Sequence, residues 1–165
     1  MIIVYQSNTG FTQQYAQMLA KAEKIKVYPL EEANFPKETE VFYMGPLMAG
    51  RITGADKAVK QFTVVGACGV GMSPPGKEVL ATLSKANYIP NAPIFYLQGG
   101  WAPKKVSWFK RKSVDMVTRK IREALQAKKQ RTREEQAYLD MLLHGGDFVA
   151  YENLDTIRKW MKERT

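Results

Sequence analysis

Short apolar runs alternate with amphipathic segments over the first hundred residues, and this alternation is the strongest constraint on the fold. A β-branched apolar run bounded by polar residues, such as residues 2–5, is typical of a buried strand. Apolar residues at offsets of three and four, such as Phe11, Tyr15 and Met18, are typical of a helix. The predicted strands are residues 2–5, 25–28, 41–44, 63–68 and 93–97, and helices are predicted over 11–22, 55–62 and around 79–83.

Strands and helices that alternate at these lengths predict an α/β fold with a parallel sheet and helices on both of its faces. The chain has 165 residues, so we expect a single domain over 1–165. Five strands favour the open, doubly wound form, in which ligands bind beyond the carboxyl ends of the strands. The candidate site is therefore made by four loops, residues 6–12, 45–54, 68–75 and 98–105.

Further helix signals lie in the second half of the chain and just before it. Ser73 followed by Pro74 is typical of a helix start. A long basic helix is predicted over 106–125, and Thr132 with Glu135 has the spacing of a capping box that opens the next helix. That helix is expected to end near Gly145-Gly146, with residues 148–149 briefly extended. Asn153 is the expected N-cap of the last helix.

The most specific motif is the polar turn Ser7-Asn8-Thr9-Gly10-Phe11-Thr12, which joins the first strand to the first helix. The first twenty residues contain no charged side chain. A phosphate here would be held by hydroxyl and backbone N–H donors and by the positive end of the helix dipole. The turn has neither the Gly-Lys-Ser/Thr ending of a P-loop nor the three glycines of the dinucleotide fingerprint, so it favours a mononucleotide. An ordinary capped turn between strand and helix is the alternative.

This turn resembles the phosphate-binding loop of the flavodoxins, whose pattern is Ser/Thr-x-Thr-Gly-x-Thr. Ser7, Thr9, Gly10 and Thr12 match that pattern. The resemblance implies a flavodoxin-like, doubly wound sheet of five parallel strands in the order 2-1-3-4-5, and one noncovalently bound flavin mononucleotide (FMN). Residues 43–50 also look like the flavodoxin segment beside the flavin ring. There Gly50 would be the residue whose peptide changes orientation with the redox state.

After the fifth strand come a basic helical insertion, about residues 101–146, and a terminal helix. This organisation is similar to the flavodoxin-domain branch that contains the menaquinone-dependent protoporphyrinogen dehydrogenases. The similarity rests on segment order and charge, and it implies an FMN-dependent oxidoreductase linked to a quinone. A soluble flavodoxin-type electron carrier without its own small-molecule substrate is one alternative. A flavin-free interaction module is the other.

The resemblance also implies which residues contact the cofactor. Met48, Met72 and Trp101 would pack on the isoalloxazine ring, because thioether and aromatic groups suit a flat, polarisable ring. Backbone amides of 68–73 would bind its polar edge. Ordinary core packing is the alternative for the three side chains. The expected FMN-binding residues are Ser7, Asn8, Thr9, Gly10, Phe11, Thr12, Pro46, Leu47, Met48, Ala49, Gly50, Cys68, Gly69, Val70, Gly71, Gly99, Gly100 and Trp101.

Several other kinds of chemistry are excluded by composition. Cys68 and His144 are the single cysteine and the single histidine of the sequence, so neither an internal disulfide nor a Cys/His metal site is possible. Cys68 is expected to be a small buried hydrophobe, and no catalytic acid or base is assigned. The N-terminus lacks the basic lead-in of a secretory signal, and no apolar stretch approaches the ~20 residues of a membrane-spanning helix. We therefore expect a cytoplasmic protein.

The net charge of +9 is concentrated in one segment. Residues 1–100 carry nine Lys/Arg and seven Asp/Glu, residues 101–146 carry twelve and five, and residues 147–165 carry four and four. The basic 101–133 segment is a solvated helix face, a peripheral contact with the anionic inner face of a membrane, or a nonspecific nucleic-acid surface. Aromatic residues among the lysines favour lipid over nucleic acid, for which no specific module is visible. The expected redox partner is a protein or a quinone.

Overall fold

The structure is a computed structural model that describes residues 1–164. Strands and α-helices alternate along the first hundred residues except at β2, β3 and β4, which follow one another without a helix, and helices dominate thereafter. In chain order the elements are β1 (Ile2–Tyr5), α1 (Phe11–Glu23), β2 (Val27–Pro29), β3 (Glu40–Met48), β4 (Arg51–Ile52), α2 (Ala55–Gln61), β5 (Thr63–Gly71), α3 (Lys77–Ala86), β6 (Ile94–Gln98), β7 (Gly100–Trp101), α4 (Trp108–Ala127), α5 (Arg133–His144), β8 (Gly146–Asp147) and α6 (Asp155–Glu163). Short 3-10 helices cover Pro103–Lys105 and Tyr151–Leu154.

The main sheet has the order β2-β1-β3-β5-β6, and every neighbouring pair in that order is parallel. The short β4 pairs with the end of β3 in the antiparallel sense. The predicted α/β fold with a mostly parallel sheet is therefore confirmed. In this order the chain turns back between β1 and β3, so the carboxyl ends of these two strands form the topological switch point.

Alternating residues of the strands point to opposite faces of the sheet, and each face has its own apolar cluster. Ile3 and Phe42 belong to the cluster that contains Leu19 of α1 and Ile157 of α6. The other cluster contains residues of α2 and α3 and the intervening strand positions, such as Val4, Val41, Ala58, Val64 and Leu83. Both faces of the sheet are thus covered by helices, which explains why its central strands are apolar throughout.

The chain divides into two compact units. The first consists of residues 1–99 together with the C-terminal segment from Val149, and we call it the sheet unit. The second is Gly100–Phe148, which we call the helical unit. In the helical unit α4 packs against α5, and β7 pairs with β8 in the antiparallel sense. None of the helices found among residues 1–164 combines the length and the apolar character needed to cross a membrane.

Two strands extend further than the sequence predicts. The third strand was expected to stop before Gly45-Pro46, but β3 continues to Met48, and the expected loop 45–54 is largely a hairpin with β4. The fourth strand was expected to end at Cys68, but β5 continues to Gly71. The prediction of a loop at both places was wrong because glycine and proline were read as strand breakers. Here Gly45 and Gly69 face each other in the parallel register, as do Pro46 and Val70.

The predicted helix start at Ser73-Pro74 was wrong, because α3 begins at Lys77 with Gly76 as its N-cap. Ser73 and Pro74 each precede a proline, and a residue before proline is disfavoured in the helical conformation. The predicted cap at Asn153 was also wrong, because that residue lies within the 3-10 turn and α6 begins at Asp155. Residues 148–149 are not a strand, and the short pairing involves Gly146–Asp147 instead.

Helix α5 starts where the sequence predicts, whereas α4 begins at Trp108, with Ser107 as its N-cap, and not at residue 106. Thr132 Oγ1 accepts a hydrogen bond from Glu135 N at 3.1 Å, and Glu135 Oε2 accepts one from Thr132 N at 3.0 Å. The predicted capping box is therefore confirmed. At the other end of α5, Gly145 is the C-cap and has φ 89°, a conformation that favours glycine.

Candidate functional site

The loop between β1 and α1 is short, uncharged and partly exposed. Gly10 has φ 100° and lies at the N-cap of α1, while Ser7 Oγ accepts a hydrogen bond from Gly10 N at 3.1 Å. The first intrahelical bond runs from Gln14 N to Gly10 O, so the amides of residues 11–13 precede the helical ladder. The loop therefore combines a helix N-terminus with neighbouring hydroxyl and amide groups, which is the donor set that suits an anion.

The loop residues differ in their access to solvent. Asn8 is exposed, and Ser7, Thr9 and Gly10 are partly exposed. Thr12 is only 2% exposed and belongs to the packed side of α1. The first three residues of the motif can therefore reach a ligand outside the loop, whereas the Thr12 side chain contributes mainly to the interior.

The hairpin between β3 and β4 lies beside this loop. Asn8 Nδ2 approaches the sulfur of Met48 at 3.9 Å, so two of the predicted cofactor segments do meet. Ala49 and Gly50 occupy the turn with φ of 49° and 76°, the left-handed pair that two-residue hairpins of type I′ require. For alanine this conformation costs of order 1 kcal/mol. The turn is consequently a strained segment, and Met48 at its start is 46% exposed.

Asn87 ties this hairpin to the end of α3. Its Oδ1 accepts a hydrogen bond from Ile52 N at 2.7 Å, and its Nδ2 donates to Gly50 O at 2.8 Å and to Leu83 O at 2.9 Å. Reorientation of the peptide that carries the Gly50 carbonyl would break the second of these bonds. Sequence reasoning missed Asn87, because its partners in the hairpin lie 35 and 37 residues away.

The glycines at the end of β5 make room for neighbouring side chains of the protein. A Cβ at Gly69 would lie 2.9 Å from Leu47 Cδ2, and a Cβ at Gly71 would lie 3.0 Å from the Tyr96 hydroxyl. Tyr96 in turn donates a hydrogen bond to Ser73 O at 2.6 Å. Leu47 and Tyr96 thus occupy the space that these glycines leave on one face of the strand. Backbone groups at the strand end, rather than that face, are what this segment offers to a ligand.

The other members of the segments around β5 and β6 have distinct positions. Cys68 is fully buried in the middle of β5, opposite Met44 on one side and Phe95 on the other. Val70, two residues further along β5 and on the same face of the sheet, is also buried. Gly99 N donates to Gly71 O at 2.8 Å, and a Cβ at Gly99 would lie 3.0 Å from Phe11 Cβ. Gly99 therefore lets the end of β6 approach the start of α1.

A buried polar chain holds this end of the sheet, and sequence reasoning missed it as well. The Tyr15 hydroxyl donates to Gln98 O at 2.7 Å, and Asn153 Nδ2 lies 2.7 Å from the same hydroxyl oxygen. Gln98 Nε2 donates to Met72 O at 3.0 Å. The spacing of Tyr15 from Phe11 and Met18 indicated only that it lies on the apolar face of a helix. Its hydroxyl group was the sole sequence signal of a polar role.

A polar cavity of about 640 Å³ opens next to the loop. Its size lies within the usual range for small-molecule sites. Its lining combines amide and hydroxyl side chains with the charged side chains of Glu31, Glu32 and Lys57. The two carboxylates follow β2, whereas the part contributed by the loop is uncharged. The lining residues are Tyr5, Gln6, Ser7, Asn8, Gln13, Pro29, Leu30, Glu31, Glu32 and Lys57.

Two titratable side chains in the interior of the sheet have raised pKa values. Burial raises the pKa of the Cys68 thiol well above its usual range, so the thiol stays protonated. Burial likewise raises the pKa of the Tyr43 phenol, whose hydroxyl donates to Thr53 O at 2.7 Å. Among residues 1–164, no group of three or more His, Cys, Asp and Glu side chains could hold a metal ion.

The remaining predicted residues lie outside the sheet unit. Gly100 and Trp101 form β7 of the helical unit and pair with Asp147 and Gly146. Their expected contact with a flavin stays a prediction. Within the sheet unit, the segments 7–12, 46–50, 69–71 and Gly99 all lie at the carboxyl-terminal side of the parallel strands. Neither a protein-family model nor a curated protein matches the sequence significantly.

Proposed function

We propose that the sheet unit is flavodoxin-like, binds one FMN noncovalently and takes part in electron transfer. The observation that carries this proposal is the uncharged loop of residues 7–10, which leads from a central parallel strand into the N-terminus of α1 beside the switch point of the sheet. A phosphate ester in this position would meet backbone amides and hydroxyl groups without an intervening carboxylate of the loop.

The residues present fit the phosphate of FMN in their chemistry. Ser7 and Thr9 supply hydroxyl groups, and Gly10 allows the backbone of the loop to turn into the helix. When bound, the flavin supplies the redox chemistry, and the protein binds its phosphate, shields its ring and adjusts its potential. Exposed Met48 and the strained Ala49-Gly50 turn are the groups that would border the ring on the β3 side.

Within this proposal we favour an FMN-dependent oxidoreductase that oxidises a small molecule and reduces a quinone, on the pattern of the protoporphyrinogen dehydrogenases. Two features support it: the residues that match the flavodoxin loop motif, and the strongly basic helical unit that follows β6. We assign no general acid or base, so the contribution proposed for the protein is binding and orientation of the reactants. A soluble electron carrier would use the same cofactor site but require a protein partner.

The cofactor assignment is tested by comparing FMN with riboflavin, which lacks the phosphate. Fluorescence titration of the purified protein should show that FMN binds at least tenfold more tightly, because only FMN contacts the loop. Thr9→Glu should abolish this preference by repulsion, whereas Thr82→Glu, on an exposed face of α3, should leave it intact. Equal affinity for FMN and riboflavin would show that the loop does not bind the phosphate. Failure to take up either flavin would favour the flavin-free interaction module.

The reaction is tested separately, with the FMN-loaded protein. Protoporphyrinogen and a soluble menaquinone analogue are supplied without any other protein, and porphyrin formation is followed by its fluorescence. Turnover that depends on both the quinone and FMN would support the oxidoreductase. A protein that binds FMN but shows no turnover until a reductase or an acceptor protein is added would be the carrier.

A further inference from the structure

Helix α4 of the helical unit exposes a row of large apolar side chains. They recur at offsets of 7, 8 and 12 from Phe109, and at 100° per residue this places them within less than half of the helix circumference. We call this row the apolar stripe: Phe109 is 76% exposed, Met116 75%, Val117 74% and Ile121 42%. Trp108, at 54%, lies next to it at the start of the helix. Several large apolar side chains exposed along one side of a helix indicate an interaction surface.

The stripe is not the face that holds α4 to the rest of the helical unit. Thr118 is the buried residue of α4, and Val114 and Leu125 on the same side are half-buried. That side carries the packing against α5. The helix therefore has a covered apolar side and, next to it around the helix, a row of apolar side chains that faces solvent. A helix that served only as a charged, solvated surface would not need apolar side chains facing solvent.

The charge around the stripe is strongly positive. Helix α4 contains six basic and two acidic residues. Both acids are engaged by arginines of the same helix: Asp115 by Arg122 and Glu123 by Arg119. Lys112 lies beside the stripe on the helix circumference, whereas Lys110 and Lys120 lie between its apolar members. The Lys112 ammonium lies 4.6 Å from the centre of the Trp108 ring. The segment immediately before the helix adds Lys104 and Lys105, both exposed.

We propose that the helical unit binds the surface of an anionic lipid bilayer, with α4 lying in the plane of the interface. The stripe would enter the boundary between headgroups and acyl chains, while the lysines beside it would contact lipid phosphates. The aromatic side chains at the start of the helix suit the same boundary, where an amphipathic ring is favoured. Helix α4 is about 30 Å long, long enough to present the stripe as a continuous contact.

The positive charge of α4 favours an anionic bilayer over a second copy of the chain as its partner. Two copies that met through the stripe would bring their lysines together, and such like-charge contacts are unfavourable. An anionic bilayer supplies both an apolar layer and a negative surface, which is the complement of what α4 presents. This inference does not depend on the proposed flavin, because none of the residues that carry it belongs to the sheet unit.

The experiment is flotation of the full-length protein with vesicles of phosphatidylcholine alone or mixed with phosphatidylglycerol. We expect binding to the mixed vesicles, weak binding to the neutral ones, and loss of most binding at high salt. Phe109→Ser combined with Val117→Ser should weaken binding about tenfold or more. Tyr88→Ser is the matched control, because this aromatic residue of the sheet unit is 79% exposed and should not matter.

A second pair of variants tests the charge. Lys112→Gln with Lys120→Gln should weaken binding roughly 25-fold, at about fivefold per lysine. Lys85→Gln with Lys159→Gln removes the same charge from exposed sites of the sheet unit and should have little effect. Far-ultraviolet circular dichroism verifies that each variant is folded. If both pairs of lysine changes weaken binding equally, the contact is nonspecific and the proposal is wrong.

Trp108 reports the depth of the contact. Its emission should shift to the blue on vesicle binding, and this shift should disappear in Trp108→Phe, which retains Trp101 and Trp160. Absence of binding to anionic vesicles, or binding unaffected by the Phe109 and Val117 changes, would overturn the proposal. A dimer in sedimentation equilibrium that dissociates in Phe109→Ser would overturn it as well, because the stripe would then be an interface between copies.

Discussion

The sheet unit and the helical unit keep their structure in different ways. In the sheet unit both faces of the sheet are covered, and residues such as Ile3, Phe42 and Leu19 are completely buried. In the helical unit, among the described residues 100–148, burial is confined to Thr118, Tyr138, Leu139, Met141 and Leu142. The sheet unit therefore depends on its core, whereas local capping and surface charge have a larger share in the helical unit.

The largest expected difference follows from truncating one apolar side chain in each unit. Leu19→Ala should lower the free energy of unfolding by about 3 to 4 kcal/mol, because it leaves a cavity in a fully packed cluster. Val117→Ala should change it by less than about 0.5 kcal/mol, because that side chain is in solvent. Urea unfolding, followed by Trp160 fluorescence and by circular dichroism, measures both. Similar losses for the two variants would show that the stripe is covered in the native protein.

The next comparison is between two glycines with positive φ in the sheet unit. Gly54→Ala should cost about 2 to 3 kcal/mol, because φ is +82° and the new Cβ would lie 2.5 Å from Gln6 Oε1. Gly50→Ala, with φ +76° and open space around it, should cost only about 1 kcal/mol. Thermal unfolding of both variants tests this order. A reversed order would mean that the hairpin turn is more tightly packed than the backbone implies.

Loss of the capping box is expected to act on the helical unit alone. Thr132→Ala removes the acceptor of the Glu135 amide at the start of α5 and should cost about 1 kcal/mol. Hydrogen exchange should show faster opening of α5 and unchanged protection in β1 and β3. If protection falls in those strands too, the two units unfold as one.

The smallest expected effect is a pH dependence of the same cap. Hydrogen bonds from the Lys128 ammonium and from the Thr132 amide lower the pKa of Glu135. Since the pKa is lower in the folded protein than in the unfolded chain, the contribution is complete above the ordinary glutamate range. It is lost as the pH falls through the folded pKa. Thermal melts of α5 across the acid range should show this loss, and Glu135→Gln should remove it.

The sequence predicted the elements whose signals are local. The boundaries of β1, the helical start at Phe11 and the capping box at Thr132 all follow from neighbouring residues. The α/β class follows from their alternation. The ends of β3 and β5 were misjudged because strand pairing across the sheet overrides the tendency of glycine and proline to end a strand.

Of the candidate site, only the loop between β1 and α1 could be predicted from the sequence. Ser7 to Gly10 form a contiguous motif, and their neighbours in the chain suffice to recognise it. Asn87 and Tyr15, by contrast, act through partners 35 to 138 residues away, so no local pattern reports them. The sequence could not predict the exposure of the α4 stripe either. Helical periodicity alone does not distinguish the exposed Phe109 and Val117 from the half-buried Val114 and Leu125.

The sheet unit is built from two separate stretches of chain, and this has a consequence for synthesis on the ribosome. Leu154, Ile157 and Met161 near the C-terminus complete a cluster whose other buried members are translated more than fifty residues earlier. The whole helical unit emerges in between and can form its short-range contacts first. Until α6 is synthesised, the face of the sheet that α1 partly covers lacks the rest of its cover, so the nascent protein passes through a stage at which exposed apolar side chains on that face can aggregate.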